Sequence, residues 1–482
     1  MPARLGLSRL SAMKPKFLAA MAVAAALLLI LCLRVGRHLD RPCIVLMSVD
    51  TLRADHLGCY GYPLATSPRI DAFAGECVQF MQAFSQAPST AASHMSLFTG
   101  LMPPVHRITN TVAGDMSDLQ RLSPAIATLA EILKANGYLT AGFHGGSNVS
   151  GAFGFDRGFD LYSDKAIHWG RIYHASKPLR SIRAWLQKSR RERKPLFLFL
   201  HHYICHDPYL NAPQPIHDRF AKNPPPGLPS TWADLDMKAN PGKSPRELFW
   251  KNVDGKNEEH RRQIVSLYDA CINYSDFIVG SIRKILKEEG QYDRSLVILL
   301  SDHGEEFWDH GDILHWRLFR EALHVPLLVK FPGAAHAGMR IVTPVRMFDV
   351  MPTVLEFLGI RSARPLQATS LLPLVRGEPW SAPRVVSFSD QFDYVRILDG
   401  DSAYSSQPSH GTGEWLFDLR RDPLERQNLA EGRPPLLTHL RALGAAICRR
   451  QEALRRRVGS DRGPRVPVDD NLKKQLDSLG YL

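Results

Sequence analysis

The stretch CIVLMSVDTLRADHLGCYGY (43–62) decides the fold. Its first seven residues, Cys43 to Val49, are apolar or small, and the run stops at an aspartate. A short apolar run without polar alternation reads as a strand buried on both faces, the mark of a sheet covered by helices on either side. Three further runs share this texture: PLFLFLHH (195–202), SLVILL (295–300) and HVPLLVKF (324–331). Between the second and third, Leu267, Ala270, Tyr274, Phe277, Ile278, Ile282 and Ile285 recur at helical spacing, which predicts an amphipathic helix closing before Gly290. Strands alternating with helices over this length predict an α/β fold with a doubly wound, mostly parallel sheet.

Outside that body the texture changes. RVVSFSDQFDYVRIL (384–398) and GEWLFDL (413–419) predict a small antiparallel subdomain, and 435–457 reads as a helix with Leu436, Leu440, Leu443 and Ile447 on one side. The proline-rich 208–245 reads as a long excursion from the core. The expected organisation is an anchor over 1–41, a catalytic domain over 42–375, a small β subdomain over 376–430 and a basic helical tail over 431–482.

Net charge is +12, with 60 Lys and Arg against 48 Asp and Glu. Such a balance points first to nucleic acid. Its distribution excludes that reading: residues 1–41 carry +6, residues 433–482 another +6, and the body between them sums to zero. The N-terminal share flanks FLAAMAVAAALLLILCL (17–33), an apolar run that reaches the lower limit for a spanning helix. Arg34 and Arg37 follow it directly, leaving no small-residue cleavage site, while Arg4, Arg9, Lys14 and Lys16 precede it. The expectation is an uncleaved signal-anchor: one transmembrane helix in the inner membrane, with the catalytic domain periplasmic or otherwise extracytoplasmic. A mean hydropathy of −0.18 excludes a polytopic membrane protein, and an apolar fraction of 44% excludes disorder as the main state. Six of the seven cysteines lie outside the apolar run, in no metal-like spacing, and read as small buried residues.

Chemistry gathers where strands end. The first strand stops at Asp50, the second runs through HHYICHDPY (201–209) to His206, and the third stops at Asp302-His303 in SDHGEEFWDHG (301–311). Reactive groups of open α/β sheets lie just past the carboxyl ends of the strands. Two Asp oxygens and a His nitrogen there form a candidate divalent-cation site. In APSTAASHMSLFTG (87–100), Thr90 falls where a helix should begin, facing the positive end of its dipole, and His94 follows one turn on. Alone, such a threonine is a helix cap. Beside a metal it is a candidate nucleophile.

With these blocks the chain resembles the sulfatase family of the alkaline phosphatase superfamily over about residues 43–430. VDTLRADHLGCYGY (49–62), PSTAASHMSLFTG (88–100), FGFDRGFDLYSD (153–164), SDHGEEFWDHG (301–311) and LFDLRRDPLERQNLA (416–430) carry the likeness in order. The resemblance implies Asp50, Asp302 and His303 as metal ligands, with Thr90 at the nucleophile position touching the metal. It implies that His206 assists the leaving group and that His315 contacts the anionic group; His94, on the same helix face as Thr90, joins the substrate-binding set. The implied cofactor is a divalent metal, calcium by family. Thr51 replaces the second Asp of the family's usual pair, which makes zinc or manganese equal alternatives. Family sulfatases convert a Cys or Ser to formylglycine. This chain reads Thr90-Ala91-Ala92-Ser93-His94, so no formylglycine is expected. The expected function is metal-dependent hydrolysis of sulfuric or phosphoric esters carried by a small molecule, glycan or lipid, with no nucleic-acid partner. The alternatives are a phospho-headgroup transferase, a phosphodiester or phosphonate hydrolase of the same superfamily, and an inactive scaffold.

Overall fold

A computed structural model describes residues 41–109, 119–164, 176–389, 394–407, 413–432, 434–460, 463–466 and 469–477. The expected anchor at 17–33 lies outside the described residues. Among those described, no helix is long and apolar enough to cross a membrane.

Fifteen strands are described: β1 (Ile44–Val49), β2 (Val78–Phe84), β3 (Leu139–Phe143), β4 (Leu161–Ser163), β5 (Leu196–His202), β6 (Leu296–Leu300), β7 (Glu306–Phe307), β8 (Ile313–Leu314), β9 (His324–Lys330), β10 (Arg340–Ile341), β11 (Val345–Arg346), β12 (Val385–Phe388), β13 (Val395–Asp399), β14 (Ser402–Gln407) and β15 (Gly413–Asp418). Nine form the main sheet in the order β10-β2-β9-β6-β1-β5-β3-β4, with β11 also on β2. All four apolar runs read from the sequence are strands in it. β1 lies at the centre, parallel to β5 on one side and β6 on the other. β9 runs antiparallel between β6 and β2. The reason is its connection: between β6 and β9 the chain makes only the β7–β8 hairpin and one short helix (Arg320–Leu323), with no crossover helix to return it parallel.

Both faces of the sheet are buried. Along β1, Ile44 and Leu46 enter one apolar cluster while Val45, Met47 and Val49 enter the other, the two-residue period of a pleated strand. The helix Glu258–Glu288 covers the second face through Leu267, Ala270, Tyr274, Ile282 and Ile285. Phe277, expected in the same stripe, is 42% exposed and lies under the Arg69 guanidinium, 5.4 Å from the ring centroid. The opposite face is covered by Thr90–Thr99, every residue of which is buried, and by Val350–Phe357.

β12 to β15 form the expected antiparallel sheet. The helix Pro434–Val458 packs Leu437 and Leu440 on it, with Leu436, Leu443 and Ile447 half-buried beside them. Beyond that helix the chain returns to the catalytic body. Val466, Leu472 and Leu476 enter the main core, and Ser147 N donates to Gln475 Oε1 at 2.8 Å.

Several histidines are sealed inside. His106, His144 and His202 are each pushed down to about 3 by burial. An unfolded chain binds a proton at each near pH 6.5, whereas the fold refuses it until about pH 3. The unfolded state therefore binds more protons in between, so this stability is complete above about pH 6.5 and is lost as pH falls toward 3. The midpoint of urea unfolding should drop steadily from pH 6.5 to 4. His106→Gln should flatten that slope by about one proton's worth. An unchanged slope would show that His106 is not held neutral.

Candidate active site

The site is assembled by strand register. Ser48 of β1 is level with Leu300 of β6 and with His201 of β5, so Asp50 and Asp302, two residues further along each chain, meet at the same height. Asp50 N donates to His202 O at 3.1 Å, holding the ladder for one more residue. The chain then turns at Thr51, whose φ of 53° is costly for a β-branched residue. Its hydroxyl donates to Cys205 O (2.8 Å) and its N–H donates to Asp302 Oδ1 (3.3 Å), so the turn is locked against both neighbouring strand ends. The Thr51 hydroxyl is thereby committed away from the carboxylates. His303 N also donates to Asp302 Oδ1, at 3.0 Å.

Thr90 is the first residue of its helix, and Ser89, in an extended conformation, occupies the cap position ahead of it. Thr90 Oγ1 donates to Asp50 Oδ2 at 3.2 Å and lies 3.3 Å from His303 Nε2. His94 points back under this group. Its Nδ1 is 2.9 Å from Thr90 O and 3.4 Å from Asp302 Oδ2, and its Nε2 is 2.9 Å from Ser48 Oγ. A carbonyl only accepts, so Nδ1 carries the proton and Ser48 donates to Nε2. His201 completes the cluster, with Nε2 3.3 Å from Asp50 Oδ2 and its ring edge-on to His94 at 4.7 Å.

Electrostatics make this cluster a candidate cation site. Asp50 is pushed well above the usual carboxylate range by burial and then by the charge of Asp302. Asp302, against the same burial, is pulled down to about 2 by His303, His94 and His201. Two buried carboxyls this close cannot both ionise unless a positive charge joins them. Asp50 Oδ1, Asp302 Oδ2 and His201 Nδ1 are buried with no hydrogen-bond partner among the described residues. The ligand atoms of Asp50, Asp302 and His303 lie within 4.8 Å of one another, as do those of His94, His201 and Asp302. The residues therefore fit a divalent metal.

A second arm approaches from β5. His206 Nδ1 is 3.0 Å from Asp207 Oδ1, and Arg246 grips Asp207 through Nε (2.8 Å) and Nη2 (2.6 Å), with Trp250 Nε1 donating at 3.3 Å. Burial raises the cost of a charged Asp207, but Arg246 and His206 outweigh it and hold the carboxyl well below its usual range. Burial likewise disfavours protonated His206, yet the Asp207 charge and hydrogen bond raise it above its ordinary value. His315 packs between the arms, 4.4 Å from the His303 ring and 5.5 Å from the His206 ring, with Nδ1 2.9 Å from Glu305 Oε1. Burial and the neighbouring His303 push His315 well below its ordinary value, while burial and Asp207 raise Glu305, so both shifts disfavour charge on this pair.

All seven residues expected from the sequence thus meet at one edge of the sheet. Asp50, Thr90, Asp302 and His303 share the centre, His206 and His315 flank it, and His94 supports it from beneath. Sequence reasoning missed His201, Glu305 and Arg246. His201 lay inside an expected strand, whose register with Ser48 only the structure shows; Arg246 gave no signal, because it lies just past the excursion over 208–245, in the helix Pro245–Trp250.

The sulfatase family model matches residues 42–360, and the model described as N-sulphoglucosamine sulphohydrolase, C-terminal, matches 309–434. The chain belongs to the sulfatase family. This family chain is 24% identical to an ulvan-active sulfatase of Formosa agariphila, over 84% of its own length and 80% of the relative's. It is 26% identical to a multifunctional alkaline phosphatase superfamily protein of Trinickia caryophylli, over 81% and 92%. The crystal structure of a phosphonate monoester hydrolase of Agrobacterium radiobacter superimposes with a TM-score of 0.64 at 20% identity, over 86% of this chain and 96% of that one.

His94 provides a check on this architecture. His94→Ala removes the partner of both the Ser48 hydroxyl and the Thr90 carbonyl, and should cost about 1–3 kcal/mol of unfolding free energy in urea titrations. No loss of stability would contradict the bonded placement beneath Thr90.

Proposed function

We propose that this sulfatase-family hydrolase cleaves phosphoric esters in a metal-dependent reaction with Thr90 as nucleophile. The observation that carries the reading is the Thr90 hydroxyl itself, first in its helix, 3.2 Å from Asp50 and 3.3 Å from His303. Asp50, Asp302, His303 and Thr90 would hold the cation, and the imidazole in this set favours zinc or manganese over calcium. When bound, the metal supplies Lewis-acid polarisation of the ester and lowers the cost of a threonine alkoxide.

The residues divide the remaining work. The Thr90 oxygen attacks phosphorus along the direction opposite the leaving oxygen, with its proton directed at Asp50; the helix dipole favours the negative charge gathered there. A P–O bond to Thr90 forms as the ester P–O bond breaks. With Nδ1 engaged by Asp207, His206 delivers its proton from Nε2 to the departing oxygen. Water then attacks phosphorus and gives a proton to the emptied His206 Nε2; the P–O bond to Thr90 breaks, phosphate leaves, and Thr90 takes back the proton held at Asp50. A sulfuric ester is the second reading, favoured by the family match over 42–360. Threonine lacks the second hydroxyl through which a formylglycine hydrate expels sulfate, so a sulfated Thr90 would require water to attack sulfur directly. The apolar run at 17–33 is proposed to anchor the chain in the inner membrane with the site outside the cytoplasm.

The full chain, stripped with chelator and resupplied with zinc, manganese or calcium, should hydrolyse 4-nitrophenyl phosphate in preference to the sulfate. Thr90→Ala should lose at least about a thousandfold in kcat, while Thr90→Ser retains measurable turnover. Full activity in Thr90→Ala would refute the nucleophile. Faster sulfate turnover would establish the second reading, and no turnover with no bound metal would favour a scaffold.

Arg246 is a positioning residue for His206. Arg246→Ala should slow esters of alkyl alcohols by about 10²-fold or more yet leave 4-nitrophenyl esters nearly unaffected, because a good leaving group needs no proton. Equal losses on both substrates would show a merely structural role.

A further inference from the structure

We infer that a basic cavity on the sheet edge opposite the active site binds the phosphate headgroup of an anionic lipid. The inference rests on the membrane anchor proposed above. The cavity, of about 510 Å³, opens at the amino-terminal ends of β1, β5 and β6. Arg41, Arg190, Arg193, Lys194 and Arg294 line it, against one lining acid, Glu289.

That acid is already committed. Glu289 pairs with Arg183 at 2.8 Å and with Arg190 at 3.4 Å. Lys194 reaches Glu192 at 3.3 Å, whereas Arg41 donates to the neutral carbonyl of Asn136 at 3.0 Å. Among the described residues, the side chains of Arg193 and Arg294 make no hydrogen bond or ion pair. Arginines gathered this way repel one another until an anion with several oxygens sits among them, and the planar guanidinium matches phosphate in two-pronged contacts.

The chain path says which phosphate is within reach. The apolar run ends at Leu33, eight residues before Arg41, which limits the separation to about 28 Å even if fully extended. Arg34 and Arg37 lie in that connection. The helix Ser176–Glu192, whose last turn carries Arg190 and Arg191, ends beside the same cavity. An anchor entering β1 from its amino-terminal end turns this edge toward the bilayer surface, where the polybasic cavity meets the headgroups. The Asp50–Asp302 edge then faces away, so the ester substrate arrives from the aqueous side.

The test uses the full chain in neutral detergent, examined by native mass spectrometry with dioleoyl phosphatidylglycerol, dioleoyl phosphatidylcholine or inorganic phosphate alone. Wild type should retain phosphatidylglycerol at least about fivefold over phosphatidylcholine. The Arg193→Gln/Arg294→Gln variant should lose that preference while hydrolysing ester at the wild-type rate. Equal retention of the two lipids by wild type, or an undiminished preference in the variant, overturns the inference. Phosphate bound without retention of phosphatidylglycerol assigns the cavity to a soluble anion and overturns it as well. Alkaline extraction of membranes separates the two premises. Both chains stay with the bilayer if the anchor holds, and release of both refutes the anchor and with it the bilayer as the lipid source.

Discussion

The constraint on which the molecule turns is the pairing of two buried carboxyl groups, Asp50 and Asp302, at the ends of adjacent parallel strands. Neither is exposed to solvent, and the charge of Asp302 adds to burial in raising the cost of ionising Asp50. Such a pair is unfavourable in any ordinary interior. Here the surroundings are arranged for it. The imidazoles of His303, His94 and His201 favour a charged Asp302, Thr90 donates to Asp50, and the backbone of Thr51 and His303 fixes the Asp302 oxygen. Those partners come from β1, β5, β6 and the helix after β2, so the sheet order and the site are the same fact seen at two scales.

The second arm is built on a different logic. His206, Asp207 and Arg246 form a relay of alternating charge, buried and closed by Trp250. It raises the proton affinity of one imidazole whose ring centre lies 5.5 Å from that of another, His315, whose proton affinity burial lowers. Neighbouring imidazoles shifted in opposite directions suit the division of labour proposed above, with His206 as the acid. The proline-rich excursion after β5 brings the chain back in the helix Pro245–Trp250, from which Arg246 and Trp250 reach Asp207.

Much of this was legible in the chain. The runs at 43–49, 195–202, 295–300 and 324–331 became strands because uninterrupted apolar sequence leaves a backbone no way to bury itself except in a two-faced sheet. Asp50, Thr90, Asp302 and His303 were visible because they stand where a strand stops or a helix starts, and such positions are marked locally by a change in composition. His206 was marked by its place just past a strand end, whereas its role, and His315 altogether, came from resemblance rather than from pattern. His201 was hidden inside a strand, where a histidine carries no sign of the side it faces. Phe277 fitted the helical stripe, yet it lies at the boundary where Arg69 covers it instead of the core.

The sequence by itself determined the strands, the helix that begins at Thr90, the neutral body and its two basic ends, because each follows from spacing and composition along a few consecutive residues. Only the tertiary structure decided that β9 runs antiparallel, that the tail folds back through Leu472 and Leu476, and that His94 supports Thr90 from below. Register between distant strands sets these outcomes. It depends on how whole faces pack, a property that no local stretch of sequence contains.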